Sequence, residues 1–195
     1  MFTGIVSNVG RITRLVRKQH EMQMEITTKD GYFTDLTIGQ SVMTNGVCLT
    51  ITAKTATSMQ ADVMMPTFDT TNFKYLKIND EVHLEKALLA NGRLDGHVVM
   101  GHVDGVGKIT KKQLVNQTLW LEIYAPDQIK QIVTKGSIAI DGMSLTVVKA
   151  NGPRFTVALI PHTQAVTLLA NKPIGAVVNL ETDILAKYLL RGVMK

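Results

Sequence analysis

The chain has 195 residues, 45% of them apolar, with a formal net charge of +5 and a single cysteine. That length and apolar content suffice to bury one large core or two small ones, and a lone cysteine cannot make an internal disulfide, which fits a reducing cytoplasm. No apolar run approaches the about 20 residues of a helical membrane span, the N-terminal stretch lacks the basic-then-apolar order of a secretory signal, and scattered basic residues with only 5% aromatics offer little from which to build a nucleic-acid stacking surface.

In chain order, "EMQMEITT", "SVMTNGVCLTIT", "SMQADVMM" and "DEVHLEKAL" alternate or cluster apolar and β-branched residues, with "KDG", "NG" and "IND" as turns between them. The second half repeats this grammar in "TLWLEIYA", "GSIAIDGMSLTVV" and "RFTVALIPH", broken by "NGP" at Asn151 to Pro153. Regularly spaced turns favour a small closed barrel over an open sheet, because closure removes exposed edges. Only the tail "DILAKYLLRGVMK" has helical periodicity, with Ile184, Leu185, Tyr188 and Leu189 on one apolar stripe.

The two halves are copies of one pattern. A shift of 96 residues pairs Ser41 with Ser137, Gly46 with Gly142, Leu49 with Leu145, Thr50 with Thr146, Thr67 with Thr163, Thr71 with Thr167 and Glu85 with Glu181. Near the start of each half the shift is 97, placing Gly4 on Gly101, Val6 on Val103, Gly10 on Gly107 and Ile12 on Ile109. Such separated blocks in nearly constant register mark an internal duplication. The expected fold is all-β: two tandem, similar six-stranded Greek-key barrels over residues 1–97 and 98–183, followed by a short C-terminal oligomerisation helix over 184–195.

Where the copies differ in polar chemistry, specialised function becomes plausible. Cys48 stands against Ser144, His102 against Ile5, and Asp183 against Ala87. Each has a structural alternative: a small buried hydrophobe for Cys48, a satisfied interior imidazole for His102, a helix N-cap for Asp183. Asn45-Gly46 and Asp141-Gly142 read first as hairpin turns. The five histidines form no HExxH or CxxC grouping, so no metal is expected, and neither GxGxxG in a strand-to-helix context nor GxxxxGK[ST] occurs.

Taken together, "MFTGIV", "GQSVMTNGVCLT", "DGHVVMGHVDGVG", "KGSIAIDGMSLTV", "LIPHT" and "VNLETDILAKYL" closely resemble the riboflavin synthase family over essentially the whole chain. The resemblance implies conversion of two 6,7-dimethyl-8-ribityllumazine molecules into one riboflavin and one 5-amino-6-ribitylamino-uracil, by transfer of a four-carbon unit without any cofactor. It implies a homotrimer in which the first barrel of one subunit faces the second barrel of a neighbour. By motif, a first pocket would use Gly4, Ile5 and Val6, then Cys48, Leu49 and Thr50, then Asp62, Val63, Met64, Met65, Pro66 and Thr67. A second would use Gly101, His102 and Val103, then Ser144, Leu145 and Thr146, then Ala158, Leu159, Ile160, Pro161, His162 and Thr163, with Lys135 reaching across the subunit interface. Ser41 would add a further hydroxyl. In place of the family's "ETLRxTNL" this chain has "PTFDTTNF", so Pro66 and Asp69 depart from the pattern.

The implied chemistry removes a proton from the 7-methyl group of one lumazine and makes the other electrophilic. His102 is the expected acid/base; Cys48 is the expected nucleophile or proton carrier, because a thiol ionises more readily than the Ser144 hydroxyl. Lys135 would stabilise the anion and Asp183 would orient a water. Two rival readings remain: a lumazine- or flavin-holding antenna protein of the same fold, and an oligonucleotide-binding barrel. Association with lumazine synthase is left open.

Overall fold

The computed structural model describes residues 1–193. Thirteen strands and three α-helices follow in chain order. The first half holds β1 (Asn8–Arg17), β2 (Glu21–Thr27), β3 (Ser41–Thr44), β4 (Val47–Thr50), β5 (Ala53–Lys54), β6 (Ser58–Met64), α1 (Met65–Thr70) and β7 (Glu81–Lys86). The second holds β8 (Gly105–Val115), β9 (Thr118–Tyr124), β10 (Ser137–Ile140), β11 (Met143–Asn151), β12 (Arg154–Leu159), α2 (Pro161–Val166) and β13 (Val177–Thr182), and α3 (Ile184–Val193) ends the described residues.

The second half is a closed six-stranded barrel in the order β10-β11-β12-β9-β8-β13. The first is a seven-stranded sheet in the order β4-β3-β7-β1-β2-β6-β5, but its two ends, β4 and β5, are consecutive in the chain. They are the two arms of one bent strand, equivalent to the continuous β11, which itself shifts register between Val147 and Lys149. Both bends carry the same bond: Ile51 N–H donates to Gln40 O in one half and Val147 N–H to Gly136 O in the other, each at 2.9 Å. The duplication therefore extends to the corner of the barrel, as expected where a strand must turn sharply to close a sheet.

Period-two alternation fills each interior. Met24 and Ile26 of β2, Met59, Ala61 and Val63 of β6, and Leu121 and Ile123 of β9 are buried, as are Phe155, Val157 and Leu159 of β12, while their neighbours along each strand face outward. Each barrel encloses its own apolar cluster. The sequence reading carried two strands too far and found helical character only in the tail: β6 stops at Met64 and β12 at Leu159, and α1 and α2 begin there. Helices of six residues are too short to show a 3.6-residue period. The usable signal was Pro66 and Pro161, each in the first turn of its helix, where a missing N–H costs nothing.

The barrels meet through the two turns read above as simple hairpin corners. Asn45 and Asp141 have φ of 44° and 47°, and Gly46 and Gly142 have φ of +86° and +80°. The glycines face each other so closely that a Cβ on Gly46 would lie 2.8 Å from Gly142 N, so neither position admits a side chain. Around them runs a network with the symmetry of the repeat. Asn45 Oδ1 accepts from His83 N at 2.8 Å, and Asp141 Oδ1 accepts from Asn179 N at 2.7 Å. Across the interface, His83 Nδ1 meets Asp141 O at 3.0 Å, and Asn179 Nδ2 donates to Asn45 O at 2.7 Å. His83 Nε2 accepts from Leu168 N at 2.8 Å, and Asn179 Oδ1 accepts from Asn72 N at 2.6 Å. Asn72 Nδ2 adds a bond to Asp141 Oδ1 at 2.9 Å, and Lys172 Nζ lies 3.3 Å from the second oxygen of that fully buried carboxylate.

Two outcomes follow for stability. Because Nε2 of His83 accepts a backbone N–H, its proton sits on Nδ1, and the ring must stay neutral. Burial holds the imidazole below its ordinary 6.5, against the raising influence of Asp141. The stability so contributed is present above 6.5 and lost as pH falls through the depressed folded value; the thermal unfolding midpoint should decline in that window, and less so in His83→Asn. Truncation by Asn179→Ala would strand the buried Asn72 N–H and Asn45 C=O and should cost about 2 to 4 kcal/mol in urea unfolding.

Candidate active site

Two glycine-led segments place the start of each half against the opposite barrel. Gly101, φ +77°, lies on β4, where Cys48 N donates to Gly101 O at 2.9 Å and an added Cβ would sit 2.5 Å from Cys48 Cβ. Gly4, φ +78°, lies on β11 in the same way: Ser144 N donates to Gly4 O at 2.7 Å, and a Cβ would sit 2.6 Å from Ser144 Cβ. Val103 packs against the first barrel's core and Val6 against the second's. This corrects the grouping expected from the motifs, which put Gly4, Ile5 and Val6 with Cys48, and Gly101, His102 and Val103 with Ser144. The halves exchange these segments, a crossing that a linear comparison of repeats cannot reveal.

The exchange brings Cys48 and His102 together. They line one pocket of about 360 Å³ with Val47, Pro66, Thr67, Thr70, Thr71, Gly101 and Val103. Of these, Cys48 is half-buried and His102 is exposed. The Cys48 backbone is fixed by β3 through its pairing with Met43, and Pro66 and Thr67 come from the first turn of α1. Thr67 O accepts from Thr71 N and Thr71 Oγ1, which closes the C-terminal end of α1.

Other expected residues take different places. Leu49, Val63 and Leu159 are buried in the cores, so they can offer a ligand backbone groups only, and Leu145 packs on the second core. Asp62 is engaged by Lys18 and Gln23, Met64 and Thr50 are exposed, and Met65 is half-buried at the start of α1. Ile5 and Ser41 line a separate cavity of about 710 Å³, walled by the end of β7 and the chain that follows it and by Tyr32, Asp35 and Leu36. It is larger than the Cys48 pocket, but none of Cys48, His102, Ser144 or Asp183 lines it.

On the second barrel, Thr146, Ile160, Pro161 and His162 are exposed around half-buried Ser144, Ala158 and Thr163. Lys135, φ +71°, stands exposed on the turn before β10 and lines none of these cavities. Asp183 acts as an N-terminal cap, with Oδ1 accepting from Leu185 N at 3.0 Å, so the structural alternative raised for it is present.

One residue the sequence reading passed over is His97. Its Nδ1 lies 2.7 Å from Ser144 Oγ, and burial lowers its imidazole pKa, opposed by the charge of Asp183. Under the 97-residue shift that holds there, Met1 falls on Val98 and His97 has no counterpart, so no twin histidine was there to draw attention to it. Among the described residues no group of three or more His, Cys, Asp or Glu could hold a metal ion, and no helix is long and apolar enough to cross a membrane.

Comparison with known proteins bears on the family and the fold. The lumazine binding domain family matches twice, over residues 3–87 and 100–183. The riboflavin synthase of Actinobacillus pleuropneumoniae is 42% identical, with all of this chain and 91% of that protein aligned. That of Bacillus subtilis (strain 168) is 38% identical over the same shares, and that of Escherichia coli (strain K12) is 35% identical over 94% of this chain and 87% of its own. Among solved structures, LumP complexed with 6,7-dimethyl-8-(1'-D-ribityl) lumazine superposes with a TM-score of 0.84 at 22% identity, covering 93% of this chain and 99% of that one, which is a likeness of fold. With the doubled domain matched across both barrels and full-length relatives of one activity, the chain belongs to the riboflavin synthase family of enzymes.

Proposed function

We propose that the chain converts two molecules of 6,7-dimethyl-8-ribityllumazine into riboflavin and 5-amino-6-ribitylamino-uracil, with one lumazine in the Cys48/His102 pocket and the other against Ser144 on the second barrel. The observation that carries this reading is that Cys48 and His102, two residues that break the repeat's symmetry, line the same pocket. A module that only held ligand would have no use for a thiol and an imidazole side by side where the twin half has Ser144 and Ile5.

The reaction moves four carbons between two copies of one compound, so oxidation and reduction balance between the two products and no external oxidant is needed. His102, exposed at the pocket rim, is placed to move the 7-methyl proton of one substrate. Cys48 is placed to add to the other or to carry a proton. Ser144, hydrogen-bonded to His97, supplies a fixed hydroxyl to the second substrate, and Asp183 acts through the field it exerts on His97. Charge stabilisation by Lys135 requires a neighbouring subunit, since Lys135 stands clear of the cavities in its own chain.

That requirement fits a homotrimer in the cytoplasm in which the first barrel of one subunit faces the second barrel of another. Leu185, Tyr188 and Leu189 of α3 are 67%, 71% and 70% exposed, an apolar stripe left uncovered among the described residues, as an assembly helix would be.

Purified protein incubated with the lumazine should form riboflavin, followed by its visible absorbance; tight binding with no riboflavin formed would favour the antenna reading instead. Cys48→Ser should lower kcat by at least about 10-fold while far-ultraviolet circular dichroism stays unchanged, and undiminished turnover would reduce the thiol to packing. Deletion of residues 186–195 should lower both the sedimenting mass and the turnover, and a fully active monomer would refute a site shared between subunits.

A further inference from the structure

We propose that Glu181 is a positioning residue for the Cys48/His102 pocket, and that Glu85 is its counterpart for the Ser144 side. Each carboxylate latches the segment that completes the other barrel's site. The inference rests on reading the Cys48/His102 pocket as a lumazine site.

Glu85 on β7 and Glu181 on β13 occupy equivalent positions in the repeat and are buried, at 5% and 3% exposure. Glu181 Oε1 accepts from Met100 N at 2.6 Å, and Oε2 accepts from His102 N at 2.9 Å. The two bonds fix the backbone on both sides of Gly101, whose carbonyl takes the bond from Cys48 N. The position of His102 relative to Cys48 is thereby set from the second barrel. Glu85 does the same at the other end, accepting from Thr3 N at 2.6 Å, Thr3 Oγ1 at 2.8 Å and Gly4 N at 3.0 Å, while Gly4 O receives Ser144 N.

Glu181 does not line the pocket, so it acts only through the segment it holds. Charge-assisted bonds from backbone N–H groups to a buried carboxylate are short and strong. An amide cannot replace the carboxylate, because one of its two ends is a donor that would face a donor. The two sites of one chain are consequently cross-braced: loss of a carboxylate in one barrel loosens the pocket of the other.

Cys48 is the only cysteine and reports on one site alone. The full-length protein, Glu181→Gln and Glu85→Gln are alkylated with iodoacetamide at increasing riboflavin, alongside turnover of the lumazine. Glu181→Gln should speed alkylation of Cys48 and raise the riboflavin concentration that half-protects it by about 10-fold or more, while Glu85→Gln leaves both close to wild type.

A purely structural role predicts the reverse order, since Glu85 accepts three bonds and Glu181 two. Equal effects of the two variants on Cys48, or none, would overturn the proposal. Should Glu181→Gln fail to fold, Glu181→Asp, which keeps the charge and shortens the reach, is read in its place. If the wild type forms no riboflavin and riboflavin does not shield Cys48, the functional reading falls, and the alkylation rates without ligand still decide the latch: faster in Glu181→Gln than in Glu85→Gln supports it, and equal rates sink it.

Discussion

The whole arrangement depends on the buried contact between the Asn45-Gly46 and Asp141-Gly142 turns. Two barrels with separate apolar cores could pack against each other in many ways if only apolar area counted, because hydrophobic burial is non-directional. Hydrogen bonds in a low-dielectric interior are directional and expensive to leave unmade. Asn45, Asn72, His83, Asp141 and Asn179 are all at most 3% exposed, and their bonds close only in one relative placement of the halves. The glycines permit that placement by letting backbone meet backbone.

From this contact the functional geometry follows. With the barrels fixed, the segment after the first barrel reaches back over β4 and the N-terminal segment reaches over β11, each carrying a positive-φ glycine onto the residue where the copies differ, Cys48 or Ser144. A duplication that began as two equal ligand sites can diverge at two positions at once, since each site draws residues from both halves. Cys48 gains His102 from the second half. Ser144 meets Gly4 from the first, and its hydroxyl is tied instead to His97.

Much of this was legible in the residues, because local physics and tertiary structure agree over most of the chain. Period-two alternation in "EMQMEIT" and "TLWLEIY" fixes which side chains fill the barrels, and the constant register of the repeat transfers each conclusion from one half to the other. What stayed hidden was non-local. The partners of Gly4 and Gly101 lie on the opposite barrel, more than forty residues away in sequence, and nothing in "GIV" or "GHV" says which strand they will cover. His83 and Asn179 differ in residue type, yet do equivalent work through bidentate side chains, so comparing the halves by identity passes over them. Asp183 is ambiguous for another reason: a carboxylate just before a helix satisfies an N-cap whether or not it also serves chemistry.

The pattern of kept and changed residues separates two kinds of constraint. Where Glu85 and Glu181 are retained in both halves, they share one mechanical task, to hold a crossing segment by its backbone N–H groups. Where Cys48 departs from Ser144 and His102 from Ile5, the backbone environment is the same on both sides, with a glycine carbonyl accepting the strand N–H at 2.9 and 2.7 Å. Backbone hydrogen bonding therefore does not account for the difference, since the same scaffold accepts either pair; at the side-chain level Ser144 Oγ is paired with His97 Nδ1. The remaining pressure is chemical. The dismutation of two identical molecules proposed above needs sites alike enough to bind the same compound and unlike enough to give the two copies opposite roles, and a duplicated barrel with carboxylates kept in both halves and divergent side chains meets both demands.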